Sequence, residues 1–160
     1  PGSLVVDGTL IPTWNWQSLG IINFSCKHKC AGFNHQIICT LDGKFLAITD
    51  PVRGARYDVY AYRFHQLEIF LDEYALADKG YIGSGLLIPT KRKALVGESR
   101  AAVKENKSRV NRLRSVVERV IAQVKTWRVL HTGFRYPLSS YGMVFLVARA
   151  LIFFAAGYPL

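Results

Sequence analysis

Three carboxylates in this 160-residue chain occupy positions from which side chains of that type can do chemistry. Asp7 follows the apolar run Leu4-Val5-Val6, so a core strand would end on it. Asp78 repeats the arrangement after Tyr74-Ala75-Leu76-Ala77, and Glu118 falls on the polar stripe of a long helical pattern. If the two strands are neighbours and the helix crosses their ends, the three converge. Three carboxylates brought together repel one another and lose hydration, so at least one would take up a proton. Divalent cations remove that penalty, and an all-oxygen donor set suits Mg²⁺ or Mn²⁺. Two such ions about 3.5–4 Å apart activate an attacking oxygen and stabilise a leaving one in phosphodiester displacement. Neither G-x-S-x-G nor G-x-x-x-x-G-K-[ST] occurs, so no protein nucleophile or phosphate loop competes with that chemistry. Each acid also has a plainer reading. A strand-end Asp caps a turn, and a Glu on a basic helix pairs with a residue one turn away, here Arg114.

The elements that must position these acids follow from the hydrophobic pattern. Leu4–Val6 with Leu10-Ile11-Pro12 reads as a buried first strand. Two strands, His35 to Leu41 and Lys44 to Thr49, are joined by Asp42-Gly43, a strong hairpin signal. Asp58 is expected to N-cap a helix running to about Leu71. Tyr74–Ala77 and Leu86–Pro89 make a fourth and a fifth strand. From about Asn106 to Leu130, Val110, Leu113, Val117, Val124 and Trp127 recur at helical spacing. A closing apolar helix runs from Met143 to Gly157. It carries Arg149 and is short for a bilayer, which predicts a buried helix rather than a membrane span. The order predicts an α/β domain, a mixed sheet with helices packed on it.

Charge is placed unevenly. The chain carries 21 Lys and Arg against 11 Asp and Glu. The block from Lys79 to Arg135 holds 14 basic and 3 acidic residues, so it alone accounts for the net +10. Half the residues are hydrophobic and 20% are charged, which excludes disorder. A basic block beside a phosphodiester site points to nucleic acid. Arg92, Lys93, Lys107, Arg112, Arg114 and Arg119, with Lys79, are its phosphate-contact candidates. Lys27 and Lys29 join them, with a solvated loop as the alternative. Such contacts position DNA without reading its sequence. Three cysteines without a signal peptide predict reduced thiols in a cytoplasmic protein. Cys26 and Cys30 with His28 lack a second ligand pair and make a poor zinc site. Trp14 and Trp16 either stack on unpaired bases or pack on their own domain.

An ordered series of short motifs spans the chain: Val6-Asp7-Gly8-Thr9, then Lys27-His28-Lys29 with Gly32 and Gln36. Asp42-Gly43, Gly54 with Asp58, and Ala77-Asp78-Lys79-Gly80-Tyr81-Ile82-Gly83 follow. Asn106, Arg114, Val117-Glu118-Arg119 and Lys125-Thr126-Trp127-Arg128-Val129-Leu130 complete it. The series resembles the DDE transposases of bacterial insertion sequences, in the branch related to Harbinger elements. The resemblance implies a ribonuclease H-like fold with a mixed five-stranded sheet. It also implies Asp7, Asp78 and Glu118 as catalytic, metal-binding acids holding two Mg²⁺ or Mn²⁺ ions, with Asp58 in support. The expected activity is metal-dependent DNA cleavage and strand transfer by one catalytic domain over residues 1–160. DNA is the expected partner, no membrane is involved, and a homodimer or larger assembly forms on DNA. The upstream DNA-binding region usual in that family is absent from this chain, which reads as the trailing part of a longer polypeptide. A metal-dependent nuclease and a catalytically silent nucleic-acid-binding remnant are the alternatives.

Overall fold

The computed structural model describes residues 4–14, 20–71, 73–88, 108 and 115–159. The first strand, β1 (Leu4–Pro12), is longer than its opening apolar run. It pairs antiparallel with β3 (Cys30–Thr40) from Leu4↔Thr40 to Pro12↔Gly32 without a slip. Asp7 therefore lies within β1 rather than at the end of a strand. The Gly8-Thr9 pair does not break the ladder, because each residue finds its backbone partner on β3.

Around β3 the remaining strands also pair antiparallel: β2 (Phe24–Ser25), β4 (Phe45–Ile48) and β5 (Val52–Arg53). The β3–β4 turn forms at Asp42-Gly43 as expected. Gly43 adopts φ +88°, and Thr40 N donates to Lys44 O at 3.0 Å. The expected fourth and fifth strands are extended segments joined to the sheet by isolated parallel bridges, Val5↔Leu76 and Leu76↔Leu87. Val6 N donates to Leu76 O at 2.9 Å, and Leu76 N to Leu4 O at 2.8 Å.

Side chains alternate across this sheet, and each face builds its own core. Val5, Ile11 and Ile37 pack with Val117, Val120, Val124, Phe145 and Ile152. Val6 and Ile38, one residue over, pack with Tyr62, Ala75, Ala77 and Tyr81. The first face is covered by α2 (helical over 115–125) and α4 (Tyr141–Ala155). The second is covered by α1 (Asp58–Phe64) and the 67–88 segments. Burying a Val in either layer contributes roughly 1.5–3 kcal/mol.

Two helices end earlier than their patterns predict. The α1 helix stops at Phe64 because Gln66 takes a left-handed backbone, φ 51°, after which a short 3-10 turn runs Leu67–Ile69. Tyr57, not Asp58, is the residue at the N-cap, and Asp58 opens the helix. The helix expected over 106–130 breaks at Thr126-Trp127 in its described part. There Trp127 is extended before α3 (Arg128–His131), and Thr126 Oγ1 bonds back to Gln123 O at 2.7 Å. Trp127 packs against the first core as expected.

The C-terminal helix, expected to be buried, is buried along one face only: α4 lays Tyr141, Phe145, Ala148 and Ile152 inward and leaves Met143, Leu146, Val147, Leu151 and Phe154 exposed. The stretch Leu138–Ala155 has the length and composition to cross a membrane, yet Phe145, Ala148 and Ile152 are buried on the sheet. Arg149 ties α4 to the end of β4 through Ile48 O at 3.0 Å and Asp50 at 2.8 Å. His35, fully buried on β3, stacks on Phe145 and meets Tyr141 Oη at 2.7 Å and Thr49 O at 2.9 Å. A carbonyl only accepts, so Nδ1–H donates to Thr49 and Nε2 accepts from Tyr141.

Burial holds the His35 imidazole down at about 4, against an ordinary 6.5. Above pH 6.5 neither folded nor unfolded chain is protonated there. Between pH 6.5 and 4 the unfolded chain alone takes the proton, so stability should fall as pH drops through that window. The expected loss is about 3 kcal/mol, read from urea melts at pH 7, 5.5 and 4.5; a flat profile would exclude a neutral buried imidazole. A second prediction concerns two glycines. A Cβ at Gly8 would lie 2.1 Å from Asp58 Oδ1, whereas one at Gly142 meets nothing within 4 Å. Gly8→Ala should destabilise by about 1–3 kcal/mol, and Gly142→Ala should be neutral or stabilise by up to about 1 kcal/mol. Equal melting of Gly8→Ala and the native chain would refute the close approach.

Candidate active site

Asp7 lies two residues past Val5, and alternation puts it on the face that α2 covers. The same count applies to Asp78. Leu76 belongs to the first core while Ala75 and Ala77 belong to the second. Asp78 keeps an extended backbone, φ −82° and ψ 173°. Two residues beyond the Val5↔Leu76 bridge on each segment, Asp7 and Asp78 thus come side by side toward one face. Both are half-buried. Asp78 also caps the 3-10 turn Lys79–Tyr81, accepting from Lys79 N at 2.6 Å, so the plainer reading of a strand-end Asp is realised too.

Glu118 lies on α2, between Val117 and Val120, which are buried in the core that holds Val5. Its own side chain is exposed. Seven residues on, Lys125 shares its stripe of the helix. Lys125 reaches the β2–β3 turn electrostatically. The His28 imidazole there is held below its ordinary value by partial burial first, then by Lys27 and Lys125. Lys125 thus lies near the rim on which Lys27 and His28 stand, whereas Glu118 is not brought into a cluster with Asp7 and Asp78 among the described residues.

Asp58 comes from the opposite face. Its carboxylate is wedged against two glycines that neighbour the other acids, Gly8 after Asp7 and Gly80 after Asp78. Oδ1 accepts from Asn34 Nδ2 at 3.0 Å, and Oδ2 accepts from Lys27 Nζ at 3.1 Å. Behind Asn34 runs a buried polar chain in which Gln36 Nε2 donates to Asn34 Oδ1 at 3.2 Å and Tyr81 Oη donates to Gln36 Oε1. Every donor in the chain points toward Asp58. Burial pushes the Tyr81 phenol well above its ordinary value, and Asp58, Asp7 and Asp78 add to the shift. A phenol so held stays a donor. Asp58 is thus not a helix cap but the seat on which the site's loops rest. Gln36 and Tyr81 stood within the sequence motifs, yet their connection to Asp58 through Asn34 appears only when β3 is paired with β1.

A groove of about 290 Å³ opens at this place, lined by Ser25, Lys27, His28, Asn34, Asp58 and Asp78 among others. Of the other basic candidates, Lys29, Lys79 and Arg119 are exposed, and Lys29 occupies a left-handed backbone position in the turn. Arg92, Lys93, Lys107, Arg112 and Arg114 lie outside the described residues, as does Trp16. Trp14 is 62% exposed, and the Arg135 guanidinium sits 4.5 Å from its ring centroid. One stacking surface of that ring is thus already occupied by its own domain.

Among the described residues no three His, Cys, Asp or Glu side chains form a ready cage. Asp7 and Asp78, two oxygen donors fixed to adjacent backbones, fit an ion that takes one or two carboxylates and completes its shell with water and phosphate oxygens, as Mg²⁺ does. Asp58, which comes from α1 and is engaged by Lys27 and Asn34, lines the same groove as Asp78. Cys26, Cys30 and Cys39 are free thiols.

Comparison with known proteins adds to this geometry. Over 130 residues the chain is 32% identical to a protein of Streptomyces albus G described as the candidate transposase for insertion sequence element IS112. That alignment covers 79% of this chain and 49% of the relative, so the chain spans about half the relative's length. No solved structure matches. Residues 6–152 match the family of DDE superfamily endonucleases, from the residue before Asp7 to the last buried turn of α4. The chain belongs to the DDE superfamily endonucleases.

Proposed function

We propose that this chain is the catalytic domain of an insertion-sequence transposase, one ribonuclease H-like domain over residues 1–160 that cuts DNA and transfers the freed strand. The observation that carries the reading is the placement of Asp7 and Asp78 side by side, on the face that α2 covers. The parallel bridges Val5↔Leu76 and Leu76↔Leu87 support a mixed sheet of the ribonuclease H kind. Asp7, Asp78 and Glu118 are the catalytic acids, and the DNA of element ends and target is the substrate. Two copies meeting on DNA would bring two ends together.

In this reading Asp7 and Asp78 hold divalent metal, with Glu118 completing the set from α2. The ions, Mg²⁺ or Mn²⁺, supply charge neutralisation at the phosphate and activation of the attacking oxygen. The chain's own part is to fix direction. The β1 ladder holds Asp7, the turn at Lys79–Tyr81 holds Asp78, and the hydrophobic stripe of α2 presents Glu118. Lys27, Lys29, Lys79 and Arg119 lie exposed around the site to receive phosphates on either side of the cleaved bond. The basic residues of 91–114 add further positive charge to the chain, so affinity should fall steeply with salt.

Asp78→Asn should abolish Mg²⁺-dependent nicking of supercoiled plasmid, a loss of roughly a hundredfold or more. DNA retention in gel shifts without metal should be unchanged. Nicking that survives in both Asp7→Asn and Asp78→Asn would sink the assignment. Cleavage without joining of 3′ ends to a target duplex would leave a nuclease rather than a transposase.

A further inference from the structure

Lys27 stands apart from the other basic residues. It lies outside the basic block, on the turn between β2 and β3, and its ammonium donates to Asp58 Oδ2 at 3.1 Å. Lys27, Asp58 and Asp78 line one groove. Partial burial is the largest single influence on the ammonium and acts to lower its pKa. Asp58, Asp7 and Asp78 together outweigh it and hold the group above its ordinary value. The side chain is 58% exposed against 12% for Asp58, so as a surface ion pair it adds little to stability. Its importance lies in where the charge is held, among all three aspartates of the site.

We propose that Lys27 is the resident counter-cation of the Asp7, Asp58 and Asp78 carboxylates, competing with divalent metal and yielding the site when a DNA phosphate draws its ammonium away. The proposal rests on the metal-site reading above. Electrostatic coupling is reciprocal: carboxylates that favour the ammonium bind any second cation less well while it stays, by the same free energy. Asp58 sets the resting position of Lys27, because Asn34 Nδ2 holds Oδ1 at 3.0 Å while Oδ2 accepts from the ammonium at 3.1 Å. An incoming phosphate offers the ammonium a new partner within reach of a flexible four-carbon stem. Removing the ammonium restores the repulsion between carboxylates and raises their demand for metal. Metal and DNA then load together, and the chain without DNA holds its ions loosely.

The test is Mn²⁺ binding to the whole chain at low ionic strength, followed by the electron paramagnetic resonance of free Mn²⁺. Lys27→Met should bind the ion about three- to tenfold more tightly than the native chain, and Lys27→Arg within about twofold of it. The gain should shrink in 1 M salt, where charges separated by solvent are screened. A short DNA duplex should tighten Mn²⁺ binding by the native chain more than by Lys27→Met. Melting in EDTA checks that each variant is folded, and Lys27→Gln reads the same difference if Lys27→Met is not. Equal or weaker Mn²⁺ binding after loss of the ammonium overturns the proposal. When that result comes with loss of the ion in Asp78→Asn, the metal site stands and Lys27 alone is misassigned. No Mn²⁺ binding by the native chain, or full binding by Asp78→Asn, removes the metal site and this proposal with it.

Discussion

The regular pairing of β1 with β3 decides which groups of this protein can meet. A β-strand sends successive side chains to opposite faces, and a slip of one residue exchanges the faces throughout. Val5 and Val6 bury themselves in separate cores, which pins the phase of β1. With that phase set, Asp7 must project toward α2, and the Cβ direction of Gly8 must face Asp58. The bridge from Val5 to Leu76 transfers the same phase to the segment ending in Asp78. Two hydrophobic cores thereby specify the phase of the two segments that carry these acids.

Charge sets the second constraint. Carboxylates carried on neighbouring segments repel, and hydrogen bonds answer that repulsion at Asp58. On the α1 face Asp58 receives hydrogen bonds from Asn34 and Lys27, and Asn34 is steadied in turn by Gln36 and Tyr81. A buried amide pair is tolerated because its polar atoms find partners. On the other side of β1, Asp7 and Asp78 stay half-buried, and Asp78 accepts from Lys79 N. Exposed lysines stand on the segments beside these acids, Lys27 on the β2–β3 turn and Lys79 after Asp78, and positive charge so placed softens the repulsion.

Much of this was legible before any coordinates. The hairpin at Asp42-Gly43, the helical character of α4 and the acids themselves follow from local pattern and residue type, whereas the exposed apolar face of α4 does not. Asp7 was harder, because Gly8-Thr9 reads as the end of a strand unless the partner residues Gln36 and His35 are known. Asp58 was misread for a related reason. Aspartate is among the best helix caps, yet this one spends its oxygens on Asn34 and Lys27, 24 and 31 residues away. The early end of α1 at Gln66 and the kink at Trp127 also depend on tertiary packing that overrides helical periodicity. Local sequence carries no record of such distant partners. The series of motifs carried them implicitly, since Gln36, Asp58 and Tyr81 were all among its members.

The contact between Gly8 and Asp58 has a consequence for how this chain can change over generations. The two residues share a volume that holds one carboxylate and nothing more. A side chain can appear at position 8 only if the one at position 58 shrinks or withdraws, and withdrawal would cost Asn34 and Lys27 a hydrogen bond each. Substitutions at the two positions are therefore locked together, although 49 residues of chain lie between them. Divergent copies of such a sequence should alter its surface freely while passing this pair on intact.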